Sequence, residues 1–390
     1  MSVTAAAGFA AAGVTAGLKK SGGLDLAIVE NVGPLTSCAT VFTTNRCQAN
    51  PVIWSQQVMK DGVVRAIVLN SGGANCYTGS MGFQTTHATA EAVATELDIS
   101  AVDVVVCSTG LIGEQLNLDL VKAGVFDAAR ALKTDAATSP EAGLLAAQAI
   151  MTTDTTPKQA VVVSPSGWTV GGMAKGAGML APGLATMLVV LTTDAVLNSA
   201  QLDAALREAT RLTFDRLDSD GCMSTNDTVS LLGSGASGVE ADVAEFTAAL
   251  IALCQDLTLQ LQGDAEGSAH DVAIEVRNAD TEADAVTVAR AVSRSALFKT
   301  AIYGNDPNWG RVLAAVGTTA AVFDPYGIDV AINDVQVCTA GEPDQPRELV
   351  DLTPRAVSVV IDLHAGSHSA TVWTNDLTQE YVEENSAYSS

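Results

Sequence analysis

The sequence predicts an α/β fold made of two lobes. Hydrophobic residues make up 48% of the 390 positions and aromatic residues only 4%, so the chain can bury a large core built from small side chains. Short β-branched runs alternate with segments whose apolar residues recur at helical spacing. Such alternation is typical of sheets covered by helices.

The individual elements follow from the same two patterns, which are short aliphatic runs for buried strands and three-to-four-residue periodicity for helices. The predicted strands cover residues 63–69, 104–107, 161–163, 187–191, 272–276 and 357–363, with a further strand at 370–374. The predicted helices cover residues 88–97, 118–132, 141–150, 199–212, 241–261 and 281–293. A boundary between the lobes is predicted at 172–186, and a second candidate boundary lies at 263–270.

The formal net charge of −24 restricts the class of partner. A surface this acidic repels the phosphates of nucleic acids and of anionic lipids, so the sequence predicts neither a nucleic-acid partner nor a membrane partner. The most apolar stretch, residues 179–197, is interrupted by Pro182, Gly183 and Asp194 and is not predicted to span a membrane. No basic region precedes the first apolar residues, so no signal peptide is predicted.

Cysteine and histidine spacing predicts neither a disulfide framework nor a metal site. The seven cysteines are odd in number and form no Cys-x-x-Cys pair, which fits a reducing cytoplasm. His364 and His368 are four residues apart, but they follow a predicted strand and a turn, so they do not form the helical pair that binds zinc. The glycines at 171–178 match neither a dinucleotide loop nor a nucleoside triphosphate loop.

Residues 173–188 form the most unusual segment, because glycine and methionine are concentrated there and the segment leads directly into a predicted strand. Gly176 and Gly178 allow the backbone to adopt positive φ and to approach another group closely. Lys175 adds a single cation beside this flexible stretch. Together these features predict a loop that can approach a ligand or another chain closely.

Thr186 lies at the head of the strand that follows, directly after Ala185. A hydroxyl held at the end of a rigid strand is well placed as a nucleophile, but no histidine is near it in sequence to act as its base. If the Ala185–Thr186 bond were cut, the new α-amine of Thr186 could serve as that base. From the residues alone, an ordinary strand threonine remains the alternative.

Eight motifs in order along the chain resemble those of the ornithine acetyltransferase (glutamate N-acetyltransferase) family. They include the run Ala-Thr-Met-Leu at 185–188, the motif Asn-Ser-Gly-Gly at 70–73 and the C-terminal run that begins at Tyr381. The others lie at 8–19, 108–114, 151–154, 224–227 and 303–311. The resemblance covers essentially the whole chain and implies the family's α/β fold, with two lobes that share one active site.

The resemblance also implies roles for individual residues. Thr186 matches the family's nucleophile, and the bond between Ala185 and Thr186 matches its self-cleavage site. Thr109 and Gly110 match the oxyanion hole, through a hydroxyl and a backbone N–H. The remaining matches are to substrate-binding positions, namely Thr152, Lys175, Thr186, Glu266, Asn385 and Ser390.

Two segments depart from the family pattern. Around Glu266 the family tends to have Gly-Glu-Gly-Ala-Thr-Lys, whereas residues 265–270 are Ala-Glu-Gly-Ser-Ala-His. The expected Asp-Gly-Asp run is replaced by Asp-Gly-Cys-Met at 220–223. These changes leave the shape of the two loops open but do not touch Thr186.

The implied activity is transfer of the acetyl group of N-acetyl-L-ornithine to L-glutamate through an acetyl-Thr186 intermediate, in arginine biosynthesis in the cytoplasm. Self-cleavage would give an α chain of residues 1–185 and a β chain of residues 186–390, which are expected to associate as a heterotetramer of two α and two β chains. No metal and no bound cofactor are expected, and acetyl-CoA is left open as a second acetyl donor.

Two other classes of function remain open from the sequence. An N-terminal-threonine amidohydrolase or aminopeptidase would share the cut but pass the acyl group to water. A non-catalytic protein that binds ornithine or glutamate would show neither a cut nor an acyl intermediate.

Overall fold

The computed structural model describes residues 2–181 and 187–387, and within them three sheets are flanked by helices. The strands are β1 (Phe9–Val14), β2 (Leu26–Asn31), β3 (Ser37–Phe42), β4 (Ala66–Asn70), β5 (Val104–Ser108), β6 (Lys158–Val163), β7 (Thr169–Lys175), β8 (Leu188–Thr193), β9 (Thr228–Gly233), β10 (Asp271–Ala279), β11 (Asp329–Ile332), β12 (Val335–Thr339), β13 (Glu342–Pro343), β14 (Ala356–Asp362) and β15 (His368–Asn375). The helices are α1 (Asn50–Val58), α2 (Gly79–Leu97), α3 (Leu118–Leu132), α4 (Pro140–Ala149), α5 (Ser199–Leu212), α6 (Val243–Gly263), α7 (Glu282–Ser293), α8 (Ala296–Tyr303), α9 (Trp309–Val316) and α10 (Gln379–Ala387).

The first two sheets stack face to face and form the larger lobe. The first sheet has the order β1-β2-β4-β5, and the second has the order β3-β9-β8-β7-β6. The strands are antiparallel except for the parallel pairs β4–β5 and β8–β9. One core cluster joins the two sheets, a second lies between the first sheet and α2 and α3, and a third lies between the second sheet and α5 and α6. The layers therefore run helix, sheet, sheet, helix.

Strand β8 shows why the apolar runs in this sequence are continuous. Leu188 and Val190 face the core between the two sheets, whereas Val189 and Leu191 face the core under α5 and α6. Successive side chains of a strand point to opposite faces, so a strand covered on both faces must be apolar at every position. Its continuous apolar sequence is therefore a direct consequence of its central place in the four layers.

The third sheet forms the smaller lobe and has the order β13-β12-β11-β14-β10-β15. It has its own core, which it shares with α7, α8 and α9. This lobe begins at Asp271, directly after the candidate boundary at 263–270. The last helix, α10, follows β15.

Side-chain caps define where most of the helices begin. At the start of α5, the Asn198 carboxamide accepts from the Gln201 amide at 3.0 Å, and the Gln201 side chain accepts in return from the Asn198 amide at 2.9 Å. This reciprocal pair satisfies two N–H groups that have no partner inside the helix. Asn117, Ser139, Asp242 and Thr281 cap α3, α4, α6 and α7 in the simpler one-way form.

The predicted elements match the structure closely. Each of the six predicted helices lies on one of α2 to α7, although the helix predicted at 88–97 covers only the second half of α2, and each predicted strand overlaps β4, β5, β6, β8, β10, β14 or β15. The sequence reading missed β1, β2, β3, β7, β9, β11, β12 and β13, and it missed α1, α8, α9 and α10. Strand β1 reads Phe-Ala-Ala-Ala-Gly-Val and β7 reads Thr-Val-Gly-Gly-Met-Ala-Lys, compositions that carry little β propensity.

The boundary predicted at 172–186 falls between two strands of one sheet. Strand β7 contains residues 169–175, and β8 pairs with it in antiparallel register from Lys175↔Leu188 to Val170↔Thr193. The segment therefore separates neighbouring strands that share one hydrogen-bonded ladder. Within residues 2–181 and 187–387, no helix has the length and apolarity that crossing a membrane requires.

Candidate active site

A cavity of about 180 Å³ brings together every described residue predicted for the site. Those residues are Thr109, Gly110, Thr152, Lys175, Glu266 and Asn385. The remaining lining residues are Ala74, Ile112, Thr153, Gly178, Met179, Ser224, Thr225 and Asn226. Three other predicted residues, Ala185, Thr186 and Ser390, lie outside the described ranges.

The ends of neighbouring strands supply most of this lining. Thr109 directly follows β5, and Lys175 is the last residue of β7. Because Lys175 pairs with Leu188, the first residue of β8, the start of β8 is also at this end of the sheets. The chain therefore enters β8, two residues after Thr186 in sequence, at the same end of the sheets as the cavity.

Thr109 and Gly110 present unused donors to the cavity. The Thr109 amide donates to the Asn70 carbonyl at 2.9 Å, which fixes the turn after β5. Within the described chain, neither the Thr109 hydroxyl nor the Gly110 amide forms a hydrogen bond. Gly110 has φ of 125°, and a Cβ there would lie 2.9 Å from the Gly73 nitrogen, so glycine is required. Two donors at one turn are therefore available to a ligand in the cavity.

Lys175 is a buried cation held by the Thr152 loop. Its Nζ donates to the Thr152 hydroxyl at 2.7 Å and lies 3.8 Å from Asp154 Oδ2. The residue is only 1% exposed, and burial lowers the pKa of its amine, although Asp154 partly offsets that effect. Such an ammonium gains most from pairing with a carboxylate, because little solvent competes for it.

Asp154 organises the charges behind Lys175. It accepts from the Lys158 ammonium at 2.7 Å, from the Gly176 amide at 2.6 Å and from the Thr152 amide at 3.0 Å. Burial opposes ionisation of this carboxyl, but the two lysines and these hydrogen bonds outweigh burial and lower its pKa to about 2. Lys158 also contacts Asp264, at 2.5 Å, so positive and negative charges alternate from the end of α6 to the cavity.

Glu266 forms the opposite wall of the cavity. Its Oε1 accepts from the Thr153 hydroxyl at 2.7 Å, and its Oε2 accepts from the Asn385 side chain of α10 at 2.9 Å. A Cβ on Gly178 would lie 2.4 Å from Oε2, so glycine is needed here for close approach. Gly178 does not have the positive φ that the sequence reading gave it.

The sequence reading missed the residues that connect the loops around the cavity. The Asn226 side chain donates to the Ala74 carbonyl at 2.6 Å and to the Ser108 carbonyl at 2.8 Å, and so joins the segment after β4 to the end of β5. Asp154, described above, was also assigned no role. Both residues belong to motifs recognised in the sequence, Ser-Thr-Asn-Asp and Met-Thr-Thr-Asp, which was the signal available.

The two departures from the family pattern are accommodated locally. His270 is buried, with Nδ1 2.7 Å from Asp376 Oδ2 and Nε2 2.9 Å from the Leu352 carbonyl. Asp220 accepts from the Met179 amide at 2.6 Å and so supports the cavity wall. In the described chain no three histidine, cysteine or acidic residues are placed to hold a metal ion, and all seven cysteines are unpaired.

This fold and cavity define a class of protein, an α/β enzyme whose cavity combines unused hydrogen-bond donors, a buried lysine and a carboxylate. The ArgJ family model matches residues 10–390. The chain is 60% identical over 390 residues to the arginine biosynthesis bifunctional protein ArgJ of Streptomyces coelicolor, and 61% identical over 389 residues to that of Thermobifida fusca, with 100% of each chain covered in both cases. The chain therefore belongs to the ArgJ family.

A solved structure is also similar to part of the chain. It is the ornithine acetyltransferase complexed with ornithine from Mycobacterium tuberculosis, which is 52% identical and has a TM-score of 0.45. The similarity covers 48% of this chain and 96% of that chain.

We predict that Asp154 makes stability depend on acid pH. A carboxyl whose pKa is about 2 in the folded protein, below its unfolded value near 4, contributes roughly 2 kcal/mol at neutral pH. That contribution is present above the unfolded pKa and is lost as pH falls through the folded pKa. The Asp154→Asn variant should therefore have a lower melting temperature than wild type at pH 7. The difference between the two melting temperatures should become smaller between about pH 4 and pH 2.

Melting temperatures measured by circular dichroism across this pH range test the prediction. The exposed acid of the Asp203–Arg207 pair supplies the matched control, Asp203→Asn, which should follow wild type throughout. If the difference in melting temperature between Asp154→Asn and wild type stays constant with pH, the assigned charge state of Asp154 is wrong.

Proposed function

We propose that the chain transfers the acetyl group of N-acetyl-L-ornithine to L-glutamate through Thr186, in arginine biosynthesis. One observation carries the proposal: the unused donors at Thr109 and Gly110 share a cavity with the buried Lys175 ammonium, beside the start of β8. Membership of a family whose curated relatives are named arginine biosynthesis bifunctional proteins supports it. Thr186, two residues before β8 in sequence, is the proposed nucleophile for this cavity.

The first step in this proposal is self-cleavage. The Thr186 hydroxyl attacks the Ala185 carbonyl, the C–N bond breaks, and the hydroxyl proton passes to the departing nitrogen, which leaves an ester and a free amine. Water then hydrolyses the ester and releases the carboxylate of Ala185 and the hydroxyl of Thr186. The new α-amine becomes the base for the later reaction.

In the second step the Thr186 hydroxyl attacks the acetyl carbonyl of acetylornithine, and its proton passes through the α-amine to the departing ornithine nitrogen. Negative charge develops on the acetyl oxygen, where the Thr109 hydroxyl and the Gly110 amide are proposed to donate. Glutamate then enters, and its amine takes the acetyl group from Thr186 while the hydroxyl regains its proton. Two amino-acid substrates thus use one site in turn.

Substrate binding is assigned to the charged ends of the cavity. Both substrates carry an α-carboxylate, for which the Lys175 ammonium, held by Thr152, is the matching partner. Glu266 is assigned to the side-chain ammonium of ornithine. Asn385 and the C-terminal Ser390 are assigned to the same end, and Asn385 already contacts Glu266.

The cleaved pieces, residues 1–185 and 186–390, are expected to remain together. Strand β7 would belong to the first piece and β8 to the second, so six antiparallel residue pairs would hold the cut ends in one sheet. We propose that two such pairs form a heterotetramer. The unpaired cysteines fit a cytoplasmic location.

Acetyl-CoA is proposed as a second acetyl donor, because the curated relatives are named bifunctional. It would act as a substrate, and the proposed mechanism needs no bound cofactor.

An N-terminal-threonine hydrolase would differ by releasing acetate without glutamate. A non-catalytic binding protein would release neither product. An assay of acetylornithine with and without glutamate separates the three, and the acyltransferase should form acetylglutamate at a rate that depends on glutamate.

We predict that the purified protein consists of two fragments that separate between Ala185 and Thr186. The Thr186→Ala variant should stay uncut and inactive, because one hydroxyl serves both steps, whereas Thr186→Ser should retain partial cleavage. Intact mass after denaturation measures the cut. An uncut wild-type chain with full transferase activity would contradict the mechanism.

We predict that Thr109→Ala lowers kcat by roughly 10²–10³ and changes KM for acetylornithine little, because an oxyanion donor acts on charge that exists mainly in the transition state. The matched variant Thr109→Ser keeps the hydroxyl and should retain most of the activity. Steady-state kinetics on both variants test this. A change confined to KM would instead make Thr109 a contact to the bound substrate.

We predict that Asn385→Ala raises KM for both acetylornithine and glutamate, roughly ten-fold, while the protein stays folded and cut. The change removes a donor to Glu266 and, in the proposed complex, a polar contact to substrate, each worth on the order of 1 kcal/mol. The neighbouring Ser386→Ala, on the exposed side of α10, should leave both constants unchanged. Unchanged constants in Asn385→Ala would remove this residue from the site.

A further inference from the structure

Asn226 is a buried amide in the cavity wall to which the proposed mechanism gives no role. It lies two residues before β9 and is 5% exposed. Its side chain donates to the Ala74 carbonyl at 2.6 Å and to the Ser108 carbonyl at 2.8 Å, and its Oδ1 accepts from the Thr225 hydroxyl at 2.6 Å. Both of its side-chain N–H groups are therefore used by backbone carbonyls and are not left over for a substrate.

One of these carbonyls belongs to the peptide group directly before the Thr109 side chain. The Ser108 carbonyl carbon is bonded to the Thr109 nitrogen, and that nitrogen donates to the Asn70 carbonyl at 2.9 Å. The peptide group is thus held on both sides, at its oxygen by Asn226 and at its N–H by Asn70. Because a peptide group is planar, fixing both of its polar atoms fixes the direction in which the chain continues to Thr109 and Gly110.

The other carbonyl belongs to the segment on which the same turn packs. A Cβ on Gly110 would lie 2.9 Å from the Gly73 nitrogen, so the two backbones are in direct contact. The Ala74 amide donates to the carbonyl of Leu111, the residue after Gly110, at 3.0 Å. Asn226 holds Ala74 at its carbonyl. Asn226 therefore contacts both backbone segments that determine the position of this turn.

The carboxamide of asparagine matches these three partners. It offers two N–H donors and an oxygen acceptor at the end of a short side chain, and the structure has two carbonyls and one hydroxyl in place to meet them. An aspartate would direct a second acceptor at the two carbonyls, and an apolar residue would remove the donor from each. Either change would take away a group that holds the turn after β5.

We infer that Asn226 is a positioning residue that aims the Thr109 hydroxyl and the Gly110 amide into the cavity. It does so through the two backbone carbonyls that it binds. This inference rests on the proposed function, since it needs those two groups to donate to the acetyl oxygen in the transition state. Asn226 acts through the turn and not through the substrate. Its loss should therefore slow the chemical step and leave substrate binding nearly unchanged.

Asn31 provides a matched control at the other end of β9. It is fully buried, donates to the Leu35 carbonyl at 3.0 Å and to the Gly233 carbonyl at 3.1 Å, and accepts from the Gly33 amide at 3.0 Å. Gly233 is the last residue of β9, whereas Asn226 precedes the first. Neither Asn31 nor its partners are among the described residues that line the cavity. Asn31 thus makes the same set of hydrogen bonds without reaching the turn.

The test is a double-mutant cycle in the full chain, with Asn226→Ala and Thr109→Ala made alone and together. Intact mass gives the cut fraction, so that kcat is expressed per cut chain, and melting temperature reports folding. Asn226→Ala should lower kcat about 30-fold and change KM for acetylornithine less than about two-fold. In the Thr109→Ala background the same change should lower kcat only about five-fold, because one of the two donors that Asn226 positions is already absent.

The control variant Asn31→Ala should lower the melting temperature and leave kcat unchanged. If it lowers kcat as much as Asn226→Ala does, the loss reflects general destabilisation and the inference is wrong. If Asn226→Ala does not fold or is not cut, Asn226→Ser replaces it, since serine keeps one donor in a smaller side chain.

Equal losses of kcat in the wild-type and Thr109→Ala backgrounds would overturn the inference, because Asn226 would then act independently of Thr109. A change confined to KM would also overturn it and make Asn226 a contact to the substrate. A wild type that stays uncut or forms no acetylglutamate would overturn the proposed function itself. An active wild type with an impaired Thr109→Ala variant and a normal kcat in Asn226→Ala would overturn only the role of Asn226.

Discussion

The antiparallel pairing of β7 with β8 is the constraint on which the rest of the site depends. It places Lys175, the last residue of β7, opposite Leu188, the first residue of β8. Strand β9 then runs parallel to β8 on its other side and brings Asp227 to the Met187 amide. Because β8 is buried on both faces, a slip of one residue would exchange its two sets of side chains between two differently shaped cores. The packing of the two sheets therefore fixes the position of Leu188, the first residue of β8.

The buried charges follow from that placement. A buried lysine at the end of β7 loses its hydration. This desolvation penalty can exceed the Coulomb energy that a single ion pair gains. The structure surrounds it with a network in which Asp154 contacts both Lys175 and Lys158, and Lys158 also contacts Asp264. Removing one member would leave an uncompensated charge, which is more costly than the pair is worth. The network thus keeps an ammonium available in a place from which water is largely excluded.

The sequence predicted many of the periodic elements and six of the residues that line the cavity, but not the contacts that join them. The helices α3 and α5 were predicted with their observed bounds because amphipathic spacing and capping residues define them locally. Strands such as β1 and β7, rich in alanine and glycine, were missed because only packing against distant elements makes them strands. Asp154 and Asn226 were missed as site residues for the same reason, because their hydrogen-bond partners are far away in the sequence. Asp154 is 22 residues from its partner Gly176, and Asn226 is 152 residues from its partner Ala74. A motif identifies residues with a particular chemistry, whereas long-range hydrogen bonds determine which motifs lie close together in the fold.

The two substrates of the proposed reaction carry opposite charges at the ends of their side chains, and one cavity must bind both. Acetylornithine ends in an ammonium and glutamate in a carboxylate, while both carry the α-carboxylate assigned to Lys175. A fixed anion at Glu266 would attract the first and repel the second. In the structure Glu266 is held by two neutral groups, the Thr153 hydroxyl and the Asn385 carboxamide. Both can donate to a substrate carboxylate as readily as to Glu266. In the proposed reaction, Glu266 would bind the ammonium of acetylornithine, and the donors of Thr153 and Asn385 would bind the side-chain carboxylate of glutamate, so that one site serves both substrates.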